Sequence, residues 1–254
     1  MGDDPEGCAL NADPQDQVTL LEVQQHDLEV DRARHRRATL PETVRVTELE
    51  ASAKAVDDDI TRAAVEVSDL EAEQRKADAD VDLVRQRAQK DRELLDTIND
   101  AKQLSNLQHE LESLARRQSE LEDVELEVME RLEAAQKSHA ALLAQRESIA
   151  ADLEQARIAR DNALADLADE EGIAAAARAA AAQRVPADLL ALYDKLRADN
   201  GGIGAAALHR GRCEGCRIEL TPVDLGRIRE APPAEVIRCE ECRRILVRTA
   251  ESGL

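Results

Sequence analysis

The chain has 254 residues, no Phe, no Trp and a single Tyr, and 35% of it is charged. Ala, Leu, Val and Ile supply the apolar content, and Gly and Pro are scarce before residue 186, a composition that describes long helices or coiled coil rather than a deep globular core. A formal net charge of −20 argues against a polyanion binder that uses its whole surface, because phosphate would be repelled along most of the length.

The charge is uneven. From Ala205 onward there are nine Arg against eight Asp and Glu, a balance of +1, so the rest of the chain carries −21. No run of 18 apolar residues and no charged n-region followed by an apolar h-region is present, so neither a membrane span nor a secretion signal is expected, and the reading is cytoplasmic.

Residues 1–15, MGDDPEGCALNADPQ, are polar and read as a disordered start, with Cys8 a spare thiol. A helical pattern begins near Asp16, with Val18, Leu21 and Leu28 on one face, and Pro41 predicts a break and restart.

From Val46 to Ile98, apolar residues fall in alternating steps of three and four, and 14 of the 16 positions are apolar; Gln74 and Asp91 are the exceptions. This is the 3.5-residue period of a coiled-coil seam, in which a polar position can fix register. The pattern breaks between Thr97 and Asp100, where Asn99 is a candidate cap. A second register follows, with an apolar row from Leu107 to Ala163 every seven residues and a mixed companion row that includes Gln118, His139 and Arg146.

Two stripes joined by a short break predict an antiparallel hairpin over residues 16–184 with its turn near 97–103. Cross-dimerised chains satisfy the same pattern, so a homo-oligomer stays open. Pro186, a short helix bearing Leu189, Leu192, Tyr193 and Leu196, and the sequence Asn200-Gly201-Gly202 predict a linker helix and glycine hinge over 185–204. Tyr193 is read as a packing residue.

Residues 205–254 contain the strongest motif, Cys213 and Cys216 in CEGC and Cys239 and Cys242 in CEEC, with 22 residues between the pairs. Each pair can aim two sulfurs at one point, and four thiolates close a tetrahedral zinc site with no position left for water or substrate. One structural Zn²⁺ and no catalytic metal chemistry are therefore expected. Thr221-Pro222-Val223-Asp224 predicts a helix start running to about Arg229, and Ile245-Leu246-Val247 a short strand.

Arg210, Arg212, Arg217, Arg227, Arg229, Arg238, Arg243, Arg244 and Arg248 make this segment arginine-rich without a Lys, and they are the candidate partner-binding residues. Interspersed Glu residues dilute the positive charge, and no aromatic residue is present for base stacking. His209, four residues before Cys213, is superfluous as a ligand. The cluster Arg32, Arg34, Arg36 and Arg37 reads as a solvated helix face. No nucleophile–base pairing, phosphate loop or dinucleotide motif occurs, so the chain reads as a non-enzyme.

The early LPE, the stretch LQHELESLARRQSELEDVELEVMER, the segment VPADLLALYDKLR and the cysteine-bearing CEGCRIELTPVDLGRIR and VIRCEECRRILVR together resemble a bacterial family of coiled-coil proteins with a C-terminal four-cysteine zinc ribbon. The resemblance spans nearly the whole chain. It implies a mostly α fold, a long helical hairpin bearing a small ribbon of short β strands plus helix, and an interaction role. Some members of that family are linked to flagellar biogenesis, to association with an alternative RNA polymerase sigma factor and to RNA binding. Arg243 departs from the Gly common after the last cysteine of similar ribbons; a left-handed backbone there would cost on the order of 1 kcal/mol.

The expected function is a zinc-ribbon coiled-coil adaptor for a protein partner or a nucleic acid, in transcription or RNA-related regulation. Two alternatives remain: a nucleic-acid binder acting through the ribbon, and a chaperone-like coiled coil in which zinc is purely structural.

Overall fold

The computed structural model describes residues 10–254, so Cys8 and the rest of residues 1–9 lie outside it. Among the described residues five helices and three short strands follow in order: α1 (Pro14–Ala38), α2 (Pro41–Leu95), α3 (Ala101–Ala182), α4 (Ala187–Asp199), β1 (Ala205–His209), β2 (Arg212–Cys213), α5 (Pro222–Glu230) and β3 (Ile245–Val247). Glu42–Ile158 forms one compact unit, and the segments on either side of it form the other.

The Glu42–Ile158 unit is the hairpin. Every position of the first predicted seam is buried or half-buried, and so is every position of both rows on α3. The helices run antiparallel, since partners descend along α3 as they ascend along α2: Glu50 with Arg157 at 2.7 Å, Asp57 with Arg146 at 2.7 Å, Glu73 with Arg131 at 3.2 Å and Arg85 with Glu122 at 2.8 Å. These exposed pairs contribute little individually, and the seam supplies the stability. Asp91 is buried in that seam and accepts a hydrogen bond from Arg87 Nε at 3.1 Å. At the turn it is Asp100, not Asn99, that caps α3: its Oδ1 accepts from the N–H groups of Lys102 and Gln103 at 2.8 and 3.0 Å. Asp reaches the orphan donors of the first turn from this position, one residue later than the sequence reading placed the cap.

In the other unit, α1 begins earlier than expected, with Asp13 accepting from the Gln15 N–H and Pro14 in the first turn. Residues 10–13, which the sequence assigned to a disordered start, are ordered by pairing. The Val236 N–H donates to Leu10 O at 2.9 Å and the Ala12 N–H to Ala234 O at 2.8 Å. The buried face of α1 is also broader than Val18, Leu21 and Leu28; it carries Leu20, Val23 and Val30 with the polar Gln17, Thr19, Gln24 and Asp27.

The three-stranded sheet has the order β2-β1-β3, with β1 antiparallel to β2 and parallel to β3. Its period of two divides the ribbon's contacts. Ala205, Ile245 and Val247 enter a core with Leu20, Val23, Leu189, Tyr193 and Leu196 of the helices. Ala206, Leu208 and Leu246 face the opposite way, into a core with Cys213, Cys239, Leu220, Ile228 and Ile237. One short sheet thus serves both the helices and the cysteine cluster.

The 185–204 segment is therefore not a swinging linker. Tyr193 and Leu189 are fully buried. A Cβ at Gly204 would lie 2.6 Å from Tyr193 O and 2.8 Å from its ring, so glycine is required here for close approach.

Candidate metal centre

Two matching turns present the four cysteines. In the first, the Arg217 N–H donates to Cys213 O at 2.7 Å and the Cys213 N–H to Ile218 O at 3.0 Å. In the second, the Arg243 N–H donates to Cys239 O at 2.8 Å and the Cys239 N–H to Arg244 O at 3.0 Å. Both turns close through a left-handed residue, Arg217 at φ 62° and Arg243 at φ 61°. The departure noted at Arg243 thus falls on a strained backbone position, and Arg217 repeats it in the first pair.

The four sulfurs lie within 4.8 Å of one another, with Cys213 Sγ and Cys242 Sγ 3.9 Å apart and Cys216 Sγ and Cys239 Sγ 3.9 Å apart. A tetrahedron with Zn–S of about 2.3 Å has edges of about 3.8 Å, whereas a disulfide needs about 2.05 Å. The donor set therefore fits one zinc ion held by four thiolates, and it is the only such cluster among the described residues.

Burial raises the Cys213 thiol to about 12 and also pushes Cys239 upward. At Cys242 burial acts in the same direction but is outweighed by hydrogen bonds from the Arg244 N–H and guanidinium, which hold it near 7. A divalent cation supplies the charge that makes four neighbouring thiolates compatible. His209 is not part of the cluster; its Nδ1 stands 3.2 Å from Glu251.

The nine candidate arginines do not form one surface. Arg248 is structural: its guanidinium donates to the carbonyls of Ile228, Ala231, Pro232, Pro233 and Glu235 at 2.8 to 3.4 Å. Arg244 donates to Ile203 O at 3.0 Å and Asn200 O at 2.9 Å, and Arg238 to Arg243 O at 2.9 Å. Arg210, Arg212, Arg217, Arg227, Arg229 and Arg243 are exposed. Among these, Arg227 and Arg243 share Glu240.

Sequence reasoning missed the polar lock between α1 and α4. Tyr193 Oη donates to Asp27 Oδ2 at 2.7 Å, and Arg178 and Arg197 approach the same carboxylate at 3.4 Å. Burial, followed by the bond to Asp27, pushes the phenol well above its ordinary range. Gln17, Gln24 and Asp27 alternate with Leu20, Val23 and Val30 on one helical face, and that mixture was the available signal for a buried polar interface.

Comparison with known proteins agrees with this architecture. The family model described as a CT398-like coiled coil hairpin domain matches residues 23–201, and that of a C4-type zinc ribbon domain matches residues 212–246. An uncharacterised protein of Mycobacterium tuberculosis is 38% identical over 233 residues, covering 91% of this chain and 95% of that protein. An uncharacterised protein of Mycobacterium leprae is 32% identical over 218 residues, covering 85% and 93%. A solved structure from Mycobacterium smegmatis superposes with a TM-score of 0.81 at 37% identity, over 94% of this chain and all of that one. CT398 from Chlamydia trachomatis shares the fold at 14% identity, with a TM-score of 0.66 over 92% of this chain and 98% of that one. With its hairpin, its ribbon and these relatives, the chain belongs to the CT398-like coiled-coil hairpin family and carries a C4-type zinc ribbon.

Proposed function

We propose that the protein is a non-enzymatic adaptor whose zinc ribbon docks on an acidic surface of a protein partner. The observation that carries this reading is that Arg210, Arg212, Arg217 and Arg229, exposed on the ribbon that bears the four-cysteine site, have no side-chain partner among the described residues. Four thiolates leave zinc no open coordination position, so the metal holds the ribbon's shape and does not activate water. Guanidinium groups suit carboxylate recognition through bidentate bonds, and the folded ribbon fixes the backbone positions from which they reach.

A nucleic acid is the second reading, because the same arginines could meet phosphates. The ribbon's Glu residues and its lack of aromatic side chains favour the protein partner. The test is affinity capture with the full chain from its native cell, with and without nuclease, beside a Cys213→Ser, Cys216→Ser variant. The adaptor reading expects a protein recovered in both nuclease arms by the native chain and lost by the variant. Recovery that vanishes with nuclease favours the nucleic acid, and recovery undiminished in the variant moves binding to the helices.

A further inference from the structure

The zinc site and the Tyr193–Asp27 lock are joined by one side chain. Arg244 lies two residues beyond the last ligand, and its C=O accepts the Cys239 N–H at 3.0 Å, closing the second cysteine turn. Its stem crosses the first turn: a Cβ placed on Gly215 would stand 2.9 Å from Arg244 Cδ. Its guanidinium, which also hydrogen-bonds Cys242, holds Asn200 O and Ile203 O beyond the end of α4.

From there the path into the helices is short. Asn200 Nδ2 bonds Leu196 O at 2.8 Å, and the Gly202 N–H bonds Arg197 O at 3.0 Å. Arg197 reaches Asp31 at 2.6 Å and Asp27 at 3.4 Å, and Asp27 accepts the Tyr193 hydroxyl. Gly204 lies against the Tyr193 ring. Each of these groups has its position set by the next, and the backbone of Arg244 is fixed by the turn that zinc holds closed.

We propose that Arg244 couples zinc occupancy to the Tyr193–Asp27 lock, so that loss of the metal releases α4 from α1 and the ribbon's arginines lose their fixed placement on the helices. This goes beyond the adaptor reading and does not depend on any partner. It makes the metal a conformational control for the junction as well as a staple for the ribbon. Coupling of this kind is reciprocal: the factor by which bound zinc favours the closed lock is the factor by which the closed lock favours zinc, so breaking the lock lowers zinc affinity by up to that factor.

The chain supplies its own probe, because Tyr193 is its single aromatic residue. A phenol bonded to a carboxylate and shielded from solvent emits weakly and resists collisional quenchers; a released one emits more strongly and is quenched by acrylamide. The experiment uses the full chain, with zinc withdrawn by a chelator and returned, while helix content is followed by circular dichroism. Metal binding is read separately from the thiolate-to-cobalt absorption of the Co²⁺ form.

The expected result is that chelation raises Tyr193 emission and acrylamide quenching while the hairpin helices persist, and that zinc reverses both. Arg244→Gln with Co²⁺ bound should show the released Tyr193 signal despite intact thiolate absorption, and Arg244→Lys should restore only part of the coupling. Asp27→Asn, remote from the thiolates, should weaken Co²⁺ binding. Tyr193 unchanged on chelation would overturn the coupling. A shielded Tyr193 in metal-loaded Arg244→Gln would overturn the role of Arg244, and unaltered Co²⁺ affinity in Asp27→Asn would overturn the reciprocity. If Arg244→Gln fails to bind Co²⁺, the Asp27→Asn titration decides.

Discussion

Gln24 Oε1 accepts the backbone N–H of Gly204 at 2.7 Å, and the same amide donates through Nε2 to Gly202 O at 2.9 Å. A single side chain on α1 thus holds the chain at the entry to the ribbon. Gln24→Leu removes both bonds and leaves a buried donor and acceptor unpaired, with an expected loss of about 2 to 3 kcal/mol. Thermal unfolding of the zinc-loaded chain measures it. An unchanged midpoint would show that the glycine segment is held by other contacts.

Gly204→Ala tests the close approach from the other side. The added methyl would stand 2.6 Å from Tyr193 O, a backbone atom that cannot step aside. Overpacking of this kind costs about 1 to 3 kcal/mol. The loss should appear in denaturant unfolding followed by Tyr193 emission.

Arg243→Gly and Arg217→Gly should each stabilise the metal-bound ribbon, because glycine adopts φ near 60° without the penalty that an L side chain carries. The gain is on the order of 1 kcal/mol per site. Under the adaptor reading Arg217→Gly also weakens partner binding, so at that site stability and binding should move in opposite directions. A ribbon that Arg217→Gly stabilises with binding intact would remove Arg217 from the interface.

Arg248→Met should destabilise the ribbon by about 2 kcal/mol, since its charge-assisted bonds hold the end of α5 and the Pro232-Pro233 turn. Limited proteolysis of the zinc-loaded chain should then show faster cutting near residues 231–235. Partner binding should fall only in proportion to folded ribbon, which separates this internal arginine from the exposed ones.

Zinc affinity should rise with pH. In the metal-free chain the Cys213 thiol, raised to about 12, and the Cys239 thiol, also raised, hold their protons at neutrality, while Cys242 titrates near 7. Zinc binds thiolates and therefore displaces those protons. The metal-bound state carries fewer protons, so zinc-dependent stability grows as pH rises from below 7 towards 12 and is lost as pH falls through that range. Calorimetry in buffers of different ionisation heat should count more than one proton released per zinc at pH 7. A count of zero would mean that the thiols are already ionised before metal arrives.

The hairpin was legible because a seam of Val, Leu and Ala at 3.5-residue spacing needs a partner helix and a second stripe follows it after a short break, and every seam position from Val46 to Ile98 is covered. The zinc ligands were legible because their spacing is dictated by the metal. The docking of the ribbon onto α1 was not. It rests on Gln17, Gln24 and Asp27, polar residues whose burial depends on partners about 170 to 220 residues away, and no local pattern records that distance. The arginines were legible as a composition but not as a surface. Arg244 and Arg248 spend their guanidinium groups on backbone carbonyls that appear only once the ribbon has folded.

Docking through the ribbon is tested by comparing the native chain with a variant in which Arg210, Arg212, Arg217 and Arg229 are all replaced by Gln. Both are loaded with zinc and used to capture partner from nuclease-treated extract of the native cell. The adaptor reading predicts that the variant keeps its four-thiolate cobalt absorption and its shielded Tyr193 yet loses the partner recovered by the native chain. Equal recovery of that partner by the two proteins would contradict it.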